Sequence, residues 1–141
     1  MNKYLFSASI GCLAHVTCLA AAAITCPMEL PGRNLTLANV PQGWTAVAPT
    51  KILLSSIDVT LGSPEERRVM KSERYGEKKS GSYQIRFSNL NTITQFEKWV
   101  TCSYSDNDIA IARRLTQGVS QCVVTYTPDD QGTRSIQAVC K

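Results

Sequence analysis

Trp99-Val100-Thr101-Cys102-Ser103-Tyr104, Cys122-Val123-Val124-Thr125-Tyr126 and Ala138-Val139-Cys140 are three runs of one kind. Their cysteines all sit at even positions. The apolar residues beside them keep the same phase: Val100 and Tyr104, Val124 and Tyr126, Ile136 and Ala138. A strand sends alternate side chains to opposite faces, so each cysteine falls on the apolar face of its own strand. These cysteines read as staples in a β core, and the rest of the chain must pack against them.

Working outward, residues 109–115 form a further strand, set off by the Ser105-Asp106-Asn107-Asp108 turn and by Gly118. With the strand from 134 and the turn at 128–132, this end of the chain reads as a meander. Upstream, Tyr83-Gln84-Ile85-Arg86-Phe87 alternates cleanly. Residues 52–61 place Leu53, Ile57, Val59 and Leu61 in one phase, and residues 33–40 place Leu35 and Leu37 together. Ser63-Pro64-Glu65-Glu66 has the form of a capping box and predicts one short helix from Pro64. The expected fold class is mainly β: a small antiparallel sandwich or open barrel of about seven strands with one short helix, stapled by disulfides.

The chain opens Met1-Asn2-Lys3, runs apolar over residues 4–19 and continues Ala20-Ala21-Ala22-Ala23. Charged start, apolar run and small-residue end predict a secretory signal peptide over residues 1–23, cleaved after Ala23, and a single domain over 24–141. An uncleaved membrane anchor fits less well, because the run is short and carries Ser7, Ser9 and His15. Acylation at Cys26 would want Gly, Ala or Ser before it, where the chain has Thr25. Cleavage removes His15, the one histidine, together with Cys12 and Cys18, and lowers the formal charge from +4 to +3 through Lys3. Cys26, Cys102, Cys122 and Cys140 remain, an even set that predicts disulfides in an oxidising compartment, the periplasm or the secreted space.

Four cysteines allow three pairings. In a simple meander Cys102 and Cys122 lie two strands apart, about 10 Å, beyond the Cα span of about 7 Å that a disulfide tolerates. Cys122 and Cys140 can face each other on neighbouring strands. Cys122–Cys140 with Cys26–Cys102 is therefore the expected pairing. Cys102–Cys122 with Cys26–Cys140 is the alternative, and it requires the intervening strand to leave the sheet.

Without histidine the mature chain holds no Ser-His-Asp or Cys-His arrangement, and oxidised cysteines leave little to bind zinc. No catalytic residue, metal or cofactor is expected. Asp106, Asp108, Asp129 and Asp130 sit in turns, where aspartate serves local hydrogen bonding. Trp44 and Trp99 are expected to cap the core, with Trp99, opposite in phase to Cys102, the better candidate for an external contact. The most polar stretch, residues 67–81, reads as an exposed helix end and loop. It supplies the candidate binding residues Arg67, Arg68, Arg74, Lys78 and Lys79, to which Trp99 is added.

The pattern Cys26-Pro27, Gly43-Trp44, Asp58-Val59-x-x-Gly62-x-Pro64-Glu65-Glu66, Trp99-x-x-Cys102-x-Tyr104, Leu115, Cys122 and Cys140 resembles a family of small exported proteobacterial proteins of unknown function. The resemblance implies export and a shared disulfide-stapled fold, and brings no activity. The expected function is a non-catalytic periplasmic binding module of the inhibitor or immunity type, with a protein of the envelope as partner. Neither nucleic acid nor stable membrane insertion after cleavage is expected. The alternative is a carboxylate-based cell-wall or carbohydrate hydrolase, which needs two carboxyl groups about 5 to 10 Å apart.

Overall fold

The computed structural model of the chain describes residues 22–76, 80–130 and 134–141. All but the end of the expected leader lies outside them, with Cys12, His15 and Cys18, and so do Lys78 and Lys79. Ten strands appear among the described residues. Five make one antiparallel sheet: β1 (Ala22–Ile24), β10 (Arg134–Cys140), β9 (Cys122–Pro128), β6 (Tyr83–Phe87) and β5 (Glu73–Tyr75), in that spatial order. The second sheet runs β2 (Glu29–Pro31), β3 (Lys51–Leu61), β7 (Lys98–Tyr104) and β8 (Ile109–Arg114), and β4 (Arg68–Val69) adds to β3. The fold is mainly β, as expected.

The alternation predicted for the cysteine strands is what builds the core. Cys122, Val124 and Tyr126 on β9, Ile136, Ala138 and Cys140 on β10, and Val100, Cys102 and Tyr104 on β7 are all buried. Ile57 and Val59 of β3 and Phe87 of β6 join them in one apolar cluster. Burying a valine, isoleucine or phenylalanine side chain of this cluster contributes about 1.5–3 kcal/mol.

The chain changes sheet repeatedly, and here it departs from the expected meander. β7 and β8 form a hairpin in the second sheet, whereas β9 and β10 form one in the first. Cys102 and Cys122 therefore belong to different sheets. Cys122 lies directly opposite Cys140 in the β9–β10 register and is bonded to it, with Cα atoms 4.1 Å apart. Cys26, in the segment that crosses from β1 to β2, is bonded to Cys102, Cα to Cα 5.9 Å. Tyr104 adds a second tie to that crossing: its hydroxyl donates to the Pro27 carbonyl at 2.8 Å. One staple thus holds a hairpin inside a sheet, and the other holds the N-terminal crossing onto the opposite sheet.

Four local expectations change. Residues 33–40 form no strand: a 3-10 turn (Gly32–Asn34) breaks the chain there, and the strand that pairs with β3 is the earlier β2. In β3, the register against β7 shifts between Leu54 and Ser56. That bulge inverts the phase, so Ile52 and Leu54 are buried before it and Ile57 and Val59 after it, while Leu53 is 52% exposed. The helix at Pro64 is a single 3-10 turn (Pro64–Glu66), and Ser63 makes no side-chain cap. Arg67 follows at φ 47, the left-handed region, which ends the turn and returns the chain as β4 alongside Thr60 and Leu61. Residues 67–76 accordingly hold two short strands, β4 and β5, one in each sheet.

Candidate functional site

The basic stretch is spread across both sheets. Arg67 donates from its guanidinium to the Asn107 carbonyl at 2.8 Å and to the Asp108 carbonyl at 3.5 Å, tying the β3–β4 corner to the β7–β8 turn. Arg68 forms an ion pair with Glu66 at 2.9 Å and lies 5.9 Å from the Phe96 ring. Arg74 sits on the edge strand β5, 4.0 Å above the Tyr83 ring. Tyr83 in turn stacks on Tyr126, centroids 4.6 Å apart, so Arg74 tops a column of rings that descends into the core. Cation–ring contacts of this sort contribute about 0.5–1 kcal/mol at exposed sites. Lys78 and Lys79 lie outside the described residues.

Trp99 pairs with Thr60 on one side and Arg114 on the other. It is half-buried, and its indole Nε1 is buried with no hydrogen-bond partner among the described residues. Arg68 occupies the row of Leu61 and Lys98, one residue away from the row of Trp99. Adjacent rows project to opposite faces, so Arg68 and Trp99 do not share a surface.

The carboxylates of the β7–β8 turn lie open to water. Ser105, Asp106 and Asn107 take φ values of 49, 52 and 78 in the β7–β8 turn, a conformation that Asn and Asp tolerate best, and Asp106 and Asp108 are exposed there. Asp58, on β3, accepts the Ser56 hydroxyl at 3.0 Å. Desolvation pushes its carboxyl above the ordinary range, and the Ser56 hydrogen bond only partly offsets this. Among the described residues no cluster of His, Cys, Asp and Glu forms a metal site. A groove of about 800 Å³ runs between residues 94–98 and 114–118. Its cations are already engaged: Arg114 with Glu97 at 2.7 Å, and Lys98 with the Leu90 and Ile93 carbonyls at 3.0 and 2.8 Å.

The conspicuous surface lies elsewhere, between β2 and β3. Gly32 donates its N–H to the Thr50 carbonyl at 3.0 Å, closing the neck of a loop. Within that loop Pro41-Gln42-Gly43-Trp44 turns with the Trp44 N–H bonded to the Pro41 carbonyl at 3.1 Å. Gly43 supplies φ 84 at the third turn position, where a type II turn requires a positive value. The turn holds Trp44 out from the body of the protein. Expected to cap the core, this tryptophan is instead 77% exposed, with Leu37 at 57%, Val40 at 39% and Val47 at 83%. No charged residue occurs between Arg33 and Lys51, a composition that suits a buried segment as well as an open one and so does not mark the loop as exposed.

The family model described as type VI secretion system Tli immunity protein matches residues 49–141, which takes in β3 through β10. No curated protein and no solved structure matches the chain.

Proposed function

The chain belongs to the type VI secretion system Tli immunity protein family, and from that premise we propose that it is exported to the periplasm, where it binds a type VI effector and holds it inactive. The family match is the observation that carries this reading; it replaces the unknown function of the family resembled by the sequence with a named role. The protein is a non-catalytic, immunity-type module, and nothing favours the hydrolase alternative. Two disulfides suit an oxidising compartment, and the leader pattern of residues 1–23 supplies the route. Cleavage after Ala23 would leave Ile24, opposite Ala138, as the remnant of β1.

Binding without chemistry asks for a rigid scaffold that presents a fixed surface, because ordering a flexible one costs affinity. The stapled pair of sheets meets that need. The test is a growth competition. A strain deleted for this gene is mixed with its type VI-active parent, with and without the full chain restored in trans. Restored survival is the expected outcome, and a form lacking residues 2–23 should fail to protect. Equal survival of deleted and restored strains would overturn the reading.

A further inference from the structure

We propose that the loop of residues 33–49 is the docking element for the effector, with Trp44 as its anchor and Leu37, Val40 and Val47 around it; the inference rests on the immunity reading above. Loops this long without regular structure are uncommon in a small domain, and compact ones with joined ends are often functional. This one is closed at its neck by the Gly32–Thr50 hydrogen bond. A Cβ at Gly32 would overlap the Pro49 carbonyl oxygen, so the two ends of the loop are in direct contact. The tip is therefore held by a fixed base.

Its chemistry selects the occupant. Four large apolar side chains stand open to water on one segment and border a shallow depression of about 490 Å³. Tryptophan is among the residues that most often dominate protein interfaces. Beyond Arg33 at its neck the segment carries no charge, so its tip complements an uncharged, apolar surface and gives little to an acidic or basic one. A lipid surface is the poorer match, because segments that rest on anionic membranes bring lysine or arginine to the headgroups. The span shared with the family begins at residue 49, just where the loop ends. The loop lies outside that span, as do β1, β2 and Cys26, so the family's shared part does not fix the loop, which can differ with the effector recognised.

The experiment uses the same competition, with the deleted recipient carrying the full wild-type chain, Trp44→Asp with Val47→Asp, or Val139→Asp. Val139 is 45% exposed on β10 and receives the same chemical change away from the loop. Both variants are first shown to keep the wild-type melting temperature and both disulfides. The expected result is a loss of survival of at least tenfold for the loop variant and full protection by Val139→Asp. Full protection by the loop variant overturns the inference and leaves the immunity reading intact, whereas failure of the wild type removes both. Purified protein is also sedimented with phosphatidylglycerol-containing vesicles and sized by light scattering. Vesicle binding or dimerisation that the loop substitutions abolish would assign the loop to lipid or to a second copy, and would likewise overturn it.

Discussion

Tyr126 spans the space between the sheets. It stacks on Tyr83 in its own sheet, and its hydroxyl oxygen meets the Ile57 N–H of β3 at 3.5 Å. That N–H lies on the stretch of β3 between its pairings with β2 and β4. Burial pushes the phenol up to about 12, with the Ile57 hydrogen bond opposing and the Asp58 charge adding to the shift. The unfolded tyrosine loses its proton near the usual value of about 10. Between there and about 12 the folded state holds the proton that the unfolded chain has released, so stability present at lower pH is lost as pH rises through that window. Tyr126→Phe should cost about 1 kcal/mol at pH 8 by leaving the Ile57 N–H unpaired. It should also weaken the decline in stability between pH 10 and 12. Urea unfolding at pH 8, 10 and 11 checks both; a decline as steep as in the wild type would show that Tyr126 is not its source. At this scale the sequence was a partial guide. It marked Tyr126 as a core residue by phase, but Trp44 carries no local mark of exposure, since an indole after a turn suits a core lid as well as an open loop.

Among the elements, β3 and the loop before it show where local pattern and structure part. Apolar residues at 53, 57, 59 and 61 read as one face, yet the bulge between Leu54 and Ser56 moves Leu53 to the outside. The bulge answers to the β7–β8 turn, since the Ser55 hydroxyl accepts the Asp106 N–H at 3.0 Å. No window of β3 alone contains that partner. The strands whose ends are set by their own turns, β6 and β8 to β10, were legible nearly to the residue. The loop at 33–49 depends instead on its neck, and Gly32 is there for want of space rather than for an unusual φ. Gly32→Ala should therefore displace the Pro49 carbonyl, break the Gly32–Thr50 hydrogen bond and cost roughly 1–3 kcal/mol as an overpacked site. Thermal melting measures the loss, and the far-UV spectrum should keep its β character. An unchanged melting temperature would show that the neck is not closed in this way.

For the whole molecule the two disulfides have unequal reach. Cys122–Cys140 closes 18 residues of sequence and Cys26–Cys102 closes 76. Chain-entropy estimates put the stabilisation at about 3 kcal/mol for the shorter loop and about 4.5 kcal/mol for the longer. Replacing Cys26 and Cys102 together by alanine should thus destabilise the protein more than replacing Cys122 and Cys140, by a margin that guanidinium unfolding resolves. The reverse order would mean that the N-terminal crossing is held chiefly by other contacts, such as the Tyr104 hydroxyl on the Pro27 carbonyl.

The sequence by itself determined the period-two alternation, the phase of the four cysteines relative to the core, and hence a stapled, mainly β fold. These are properties of single strands and travel with a few neighbouring residues. Only the tertiary structure decided which sheet each hairpin joins, and so that Cys102 and Cys122 lie in different sheets. It also decided that the arginines of residues 67–74 are engaged by turn carbonyls, Glu66 and the rings of Phe96 and Tyr83, and that Trp44 stands in water. Each of these depends on contacts between segments distant along the chain. Strand pairing across long separations is set by the shared core and by loop closure, whose free energy changes only slowly with loop length, so no local pattern in this chain distinguishes one partner strand from another.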